Sequence, residues 1–193
     1  MTTKLDIGPA PWLPPDKRSW IRLPVHAAYD LPPAIPAMSL VENMAEKVAR
    51  LTRRTPARDV YDLAWISSTS PHSAFDRALV RRLAVLKNWV DQHGLSSPPA
   101  TWRPVTGAVP YDPGRWQTTR RATDFDEDSI GILAVPPPSL DALGDQLRMH
   151  YGFLEDLDAT ELRIVAGGAG SRNLVLDAIT SLPGSRFANR PMY

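Results

Sequence analysis

Helical spacing of apolar residues begins at Ser39 and is missing before it. Leu40, Met44, Val48 and Leu51 recur at steps of four, four and three, which puts them on one face of a helix. Ser39 followed by Glu42 is a capping-box pattern, so the spacing predicts a helix from Ser39 to about Arg54. Pro56 breaks it and suits the first turn of another. That next helix reads from Asp59 to Ile66, apolar at Val60, Leu63 and Ala64. A serine-rich turn then leads to the clearest helix, Phe75 to His93, whose face is Leu79, Leu83, Leu86 and Val90. Gly94 sits where a C-terminal glycine cap belongs. Ser139 to about Leu157 carries Leu140, Leu143, Leu147, Tyr151 and Leu154. Asp158 with Glu161 is a second cap signal, opening a helix through Leu162 and Val165. The run Gly167–Gly170 weakens it, and Asn173 to Leu182 resumes it.

The first thirty-six residues follow another rule. Pro9, Pro11, Pro14, Pro15, Pro24, Pro32, Pro33 and Pro36 each remove an amide donor and keep this stretch extended or turning. Within it Lys4-Leu5-Asp6-Ile7 alternates polar and apolar and predicts a short strand, ended by Gly8-Pro9. Residues 95–120, with Trp102, Tyr111 and Trp116, read as a structured loop, and Asp124-Phe-Asp126 begins an acidic stretch. The expected organisation is an extended arm over 1–36, a helical domain over 37–183 and a flexible tail over 184–193. The fold class is mainly α, of α+β type.

Composition narrows the classes. A chain of 193 residues, 43% of them hydrophobic and 22% charged, is long enough to bury roughly 70% of its unfolded surface. Its net charge of +1 is too small, and its apolar content too high, for disorder. Cysteine is absent, which excludes disulfides, thiolate zinc sites and thiol nucleophiles. The four histidines are scattered, with no pair at metal-ligand spacing. No apolar run approaches the ~20 residues of a membrane span, and the first residues lack a signal-peptide pattern. A cytoplasmic, soluble protein with no membrane partner is expected.

Candidate chemistry concentrates between Glu46 and Leu63. At 100° per residue, Lys47, Arg50 and Arg54 fall within ~60° of one another, and Arg58 continues this basic stripe past the proline. Asp59 and Asp62, three residues apart, point to a similar side of the next helix. A tight turn at Pro56 brings Lys47 close to Asp62. A lysine beside a carboxylate, rimmed by arginines, suits a site for polyphosphate and a nucleic-acid backbone. The bland alternative is a solvated helix face whose ion pairs are worth ~0–1 kcal/mol each. Arginine dominance beside apolar residues weighs against it. Of the tryptophans, Trp65 and Trp89 lie in helices and fit core packing. Trp12, Trp20, Trp102 and Trp116 lie in loops, where packing and base stacking stay open.

Ile35-Pro-Ala-Met-Ser-Leu-Val-Glu-Asn-Met-Ala-Glu-Lys47, followed by Arg58-Asp59-Val-Tyr-Asp62-Leu63, resembles the AbiEii-type nucleotidyltransferase toxins, relatives of the mycobacterial MenT toxins. Val85-Leu86-Lys87-Asn88-Trp89, then Tyr151, Phe153, Leu154, Leu157 and Glu161, are similar to that family's helical C-terminal half. The resemblance implies a polymerase-β-like fold of which this chain is the helical half, its arm a remnant of the nucleotidyltransferase sheet. It implies nucleotide addition to RNA, often the tRNA 3′ end, from a nucleoside triphosphate with Mg²⁺, and restraint by a cognate antitoxin. It places Lys47 on the triphosphate, Asp62 and its neighbour Asp59 in support, and Asp6 as an additional carboxylate. Arg50, Arg54 and Arg58 then bind phosphate or nucleic acid.

One departure stands out. The family carries its metal-binding carboxylates in a glycine-rich, Asp-x-Asp segment that would precede the Lys4–Ile7 strand. No metal ligand is therefore assigned in this chain. Gly167-Gly-Ala-Gly-Ser171-Arg172 and Asp124-Phe-Asp126 occur in the reverse of the family order and do not replace that segment. The expectation is a partial or truncated enzyme, active when complemented by a separate N-terminal half. The alternative is a non-catalytic, degenerate relative acting as a protein- or RNA-binding module. Chance resemblance of an unrelated helical module is the third reading.

Overall fold

Helices form wherever the apolar spacing is helical in the computed structural model, which describes residues 11–19, 23–52, 57–69, 75–95, 104–114 and 138–188. The chain is mostly helical, with one small two-stranded sheet among the described residues. Strand β1 (Asp16–Ser19) pairs antiparallel with β2 (Ala34–Ala37), Asp16 facing Ala37 and Ser19 facing Ala34. A short helix, α1 (Pro24–Ala28), lies between them. The proline count hid both features. Pro24 sits in the first turn of α1, where a missing amide costs nothing. Pro36 lies in a strand paired on one side only, where its missing donor is tolerated. The strand expected at Lys4–Ile7 lies outside the described residues.

Helix α2 (Leu40–Leu51) starts as its cap predicts: the Ser39 hydroxyl accepts from the Glu42 backbone N–H at 3.2 Å. It closes at Thr52, short of the expected Arg54. Helix α3 (Ala57–Thr69) begins earlier and ends later than its apolar spacing suggests. Beyond Ile66 its last turn is polar, and the Ser67, Ser68 and Thr69 hydroxyls each bond a carbonyl three or four residues back. Helix α4 (Arg77–His93) is capped by Asp76, whose carboxylate accepts from Leu79 N–H at 3.0 Å. It ends at Gly94, with φ +68°.

Ser139 caps α5 (Leu140–Tyr151), which gives way to a 3-10 turn over Gly152–Leu154 instead of running to Leu157. Asp158 and Glu161 form the predicted reciprocal cap of α6 (Ala159–Gly167). The glycine run is a packing junction. A Cβ on Gly167 would lie 2.1 Å from the Ser171 hydroxyl, and Gly168 holds φ +50°. Its carbonyl accepts from the Trp89 indole at 2.7 Å. Helix α7 (Arg172–Thr180) follows.

The core lies where α2 crosses α4 and α3 packs on α5, with α6 and α7 closing over α4. Met44, Leu63, Leu83, Leu86, Leu143, Leu147, Ile164 and Ile179 are fully buried in it. Trp12 and Leu13 anchor the arm to that core, whereas β1 and β2 are largely exposed. The Trp12 carbonyl also accepts from Arg186 N–H at 2.9 Å, which joins the first and last described segments.

Candidate functional site

The C-terminal half of α2 and the N-terminal half of α3 face one another, joined by the short connection expected around Pro56. Lys47 projects from α2 with its side chain 10% exposed. Its ammonium donates to Asp59 Oδ1 at 3.1 Å and to Asp62 Oδ2 at 2.7 Å. Arg50, one turn further along α2, donates to the same Asp59 oxygen at 3.3 Å. The structure therefore brings Lys47, Asp59, Asp62 and Arg50 into one cluster, as the spacing predicted. Arg54 lies outside the described residues. So do Asp6 and the side chain of Arg58.

Burial is graded across the cluster. Asp59 is enclosed, Lys47 nearly so, while Asp62 and Arg50 reach solvent. Asp59 Oδ2 is buried and has no hydrogen-bond partner among the described residues. An acceptor left over beside two cations makes the interior side of the cluster electrostatically tense. Its outer side carries the half-exposed Arg50 guanidinium, already bonded to Asp59, beside the edge of the lysine.

The Mg²⁺ expected from the resemblance finds no donor set here. Asp59 and Asp62 both spend an oxygen on the Lys47 ammonium, which occupies the place a cation would take. Among the described residues no group of three or more His, Asp or Glu side chains converges on one point. The described residues do not fit the ion.

Two further buried ion clusters were not legible as such. Glu42 matches the capping-box position, yet its carboxylate turns away from the helix end. Its two oxygens accept from Trp12 N–H at 2.7 Å and Leu13 N–H at 2.9 Å. Lys87 of α4 donates to Glu42 at 3.0 Å, lies within 3.2 Å of Glu46, and stands 4.4 Å from the centre of the Trp12 ring. Two orphan amides of a distant segment outcompeted the local cap. Arg81 and Arg82 converge on the fully buried Glu161 at 2.7 and 3.0 Å, and Arg82 also pairs with Asp158. Desolvation raises the Asp158 carboxyl, but the Glu161 amide and the Arg82 guanidinium outweigh it and hold the group below its ordinary range. The sequence signal for both clusters is a charged residue set inside an apolar helical face.

Trp65 also departs from expectation. Core packing was the predicted role, but the indole is 56% exposed, whereas Trp12 and Trp89 are buried. Val60, Leu63, Ala64 and Ser67 fill the inward side of α3 and turn position 65 outward.

Comparison with known proteins finds two similarities. Residues 2–146 match the family described as nucleotidyl transferase AbiEii toxin of type IV toxin–antitoxin systems. A solved structure, that of the nucleotidyltransferase toxin MenT4 of Mycobacterium tuberculosis H37Rv, superposes with a TM-score of 0.65 at 36% identity. The match covers 86% of this chain and 53% of that one, so the chain spans about half the length of this relative. No curated protein matches the sequence.

Proposed function

Because the chain belongs to the AbiEii nucleotidyltransferase toxin family, we propose that its helical domain holds a nucleoside triphosphate and an RNA, the tRNA 3′ end foremost, for nucleotide addition. The observation that carries this reading is the Lys47 ammonium shared by Asp59 and Asp62, with Arg50 at the solvent rim. Lys47 contacts the triphosphate, and the two aspartates fix the position of its ammonium. Arg50, continued by Arg54 and Arg58, takes the phosphates of the nucleotide or of the RNA backbone. Mg²⁺ has no ligand set among the described residues; carboxylates of a separate N-terminal half would hold it. A cognate antitoxin covers the protein when it is restrained, and its working compartment is the cytoplasm. No helix of the described residues is long and apolar enough to cross a membrane.

The test is binding of nucleoside triphosphates by the purified chain, together with Mg²⁺-dependent incorporation of labelled nucleotide into tRNA. Lys47→Ala and Arg50→Gln variants run beside it. Binding by the wild type that both variants weaken supports the reading. A folded wild type that neither binds nor incorporates nucleotide, even after a metal-bearing half is added, is instead a non-catalytic relative.

A further inference from the structure

We infer that Trp65 is the stacking platform for a nucleobase whose phosphates lie at the Lys47–Asp62 cluster; this rests on the proposed function. The inference starts from three positions on α3. Asp59, Asp62 and Trp65 are each three residues apart, so each step turns back by ~60° and rises ~4.5 Å along the helix. Exposure climbs along that line: Asp59 is buried, Asp62 half-buried, and Trp65 exposed. The cluster thus reaches water at Asp62, the member nearest Trp65 in the helix, as well as at Arg50.

An exposed tryptophan on its own needs no explanation. This one stands a single turn from a half-exposed carboxylate bonded to a buried lysine, on a helix whose inward side is already filled. Side chains at that spacing are neighbours. A ligand that places an anionic group at the Asp62 edge of Lys47 has the indole within one helical turn. A nucleotide has the matching chemistry: a flat, apolar-faced base joined through a sugar to phosphates. Every base offers a π face, so the indole contributes affinity without choosing among bases. Two sources supply such a base: the nucleoside triphosphate itself and the single-stranded end of an RNA.

The experiment measures equilibrium binding by the full chain of three probes: each ribonucleoside triphosphate, inorganic tripolyphosphate, and a short single-stranded RNA. Wild type, Trp65→Ala and Trp65→Phe are compared, with thermal melts as a folding control. Trp65→Ala is expected to weaken nucleoside triphosphate binding by roughly tenfold, leave tripolyphosphate binding unchanged, and be largely rescued by Trp65→Phe. The same loss confined to the RNA probe supports the platform and assigns the base to the RNA. Unchanged binding of triphosphate and RNA by Trp65→Ala, while the wild type still binds tripolyphosphate, overturns this inference and leaves the phosphate site standing. If the folded wild type binds none of the probes, even after a metal-bearing half is added, both this inference and the proposed function fall.

Discussion

Asp59 and Asp62 accept hydrogen bonds from the same Lys47 ammonium, yet one side chain is 2% exposed and the other 36%. The two carboxylates are therefore expected to differ in what their loss costs the fold. Asp59→Asn leaves Lys47 and Arg50 without their enclosed counter-charge and is expected to cost about 3 kcal/mol. Asp62→Asn keeps the buried pair and exchanges an ion pair screened by solvent, for about 0–1 kcal/mol. Chemical denaturation of both variants checks the ranking, and equal losses would contradict it. Under the proposed function Asp62→Asn also lowers nucleotide affinity in a protein that remains folded.

Glu42 is the acceptor for the arm, and its removal strands two amides and a lysine. Glu42→Ala is expected to destabilise the chain by about 3–5 kcal/mol, more than Lys87→Met, which leaves Glu42 with its two amide donors. A double-mutant cycle between positions 42 and 87 should give a coupling above roughly 0.5 kcal/mol. Limited proteolysis near Trp12 should speed up in Glu42→Ala before the helical core is cut.

Acid should attack the α4–α6 junction. Asp158 has its carboxyl lowered relative to an unfolded chain, where about 3.9 is ordinary. A depressed carboxylate stabilises the fold above its unfolded pKa, and that contribution is lost as pH falls through the folded value. Stability should thus be flat down to about pH 4 for this group and decline below it. Asp158→Asn should flatten that decline while losing part of the α6 cap at neutral pH. Denaturation midpoints between neutral and strongly acidic pH test this directly.

Alkali acts elsewhere. Burial pushes the hydroxyls of Tyr111 and Tyr151 well above their ordinary value of 10. Tyr111 donates to the Leu154 carbonyl at 3.1 Å and Tyr151 to the Leu63 carbonyl at 2.9 Å. A raised pKa gives stability that is complete below the unfolded value and fades as pH climbs from about 10 toward the folded one. Tyr111→Phe and Tyr151→Phe should each lose about 1 kcal/mol at neutral pH, yet resist alkaline unfolding better than the wild type. Tyrosinate absorbance followed through an alkaline titration separates protection by burial from unfolding.

Local chemistry was legible and distant chemistry was not. The caps at Ser39 and Asp158 and the stop at Gly94 depend on residues within a turn of each other, so spacing alone carried them. Lys47 beside Asp62 was legible for the same reason, since two adjacent helices and a short connection leave little freedom. Glu42 was misread because its partners lie 29 and 30 positions away, where no periodicity reaches. Gly152 ends α5 although Leu154 keeps the apolar rhythm, because a 3-10 turn still buries that side chain. Trp65 was misplaced by residue type: its size suggests the core, but the angle of its helix position decides.

Trp12 accepts from Arg186 through its carbonyl while its own amide is held by Glu42. Pro14 packs nearby, 3.4 Å from where a Cβ on Gly184 would lie. The segments around Trp12 and Arg186 are thus held side by side. A covalent strap across that seam leaves the native geometry undisturbed and restricts only the unfolded ensemble, by about 4–5 kcal/mol for so long a loop.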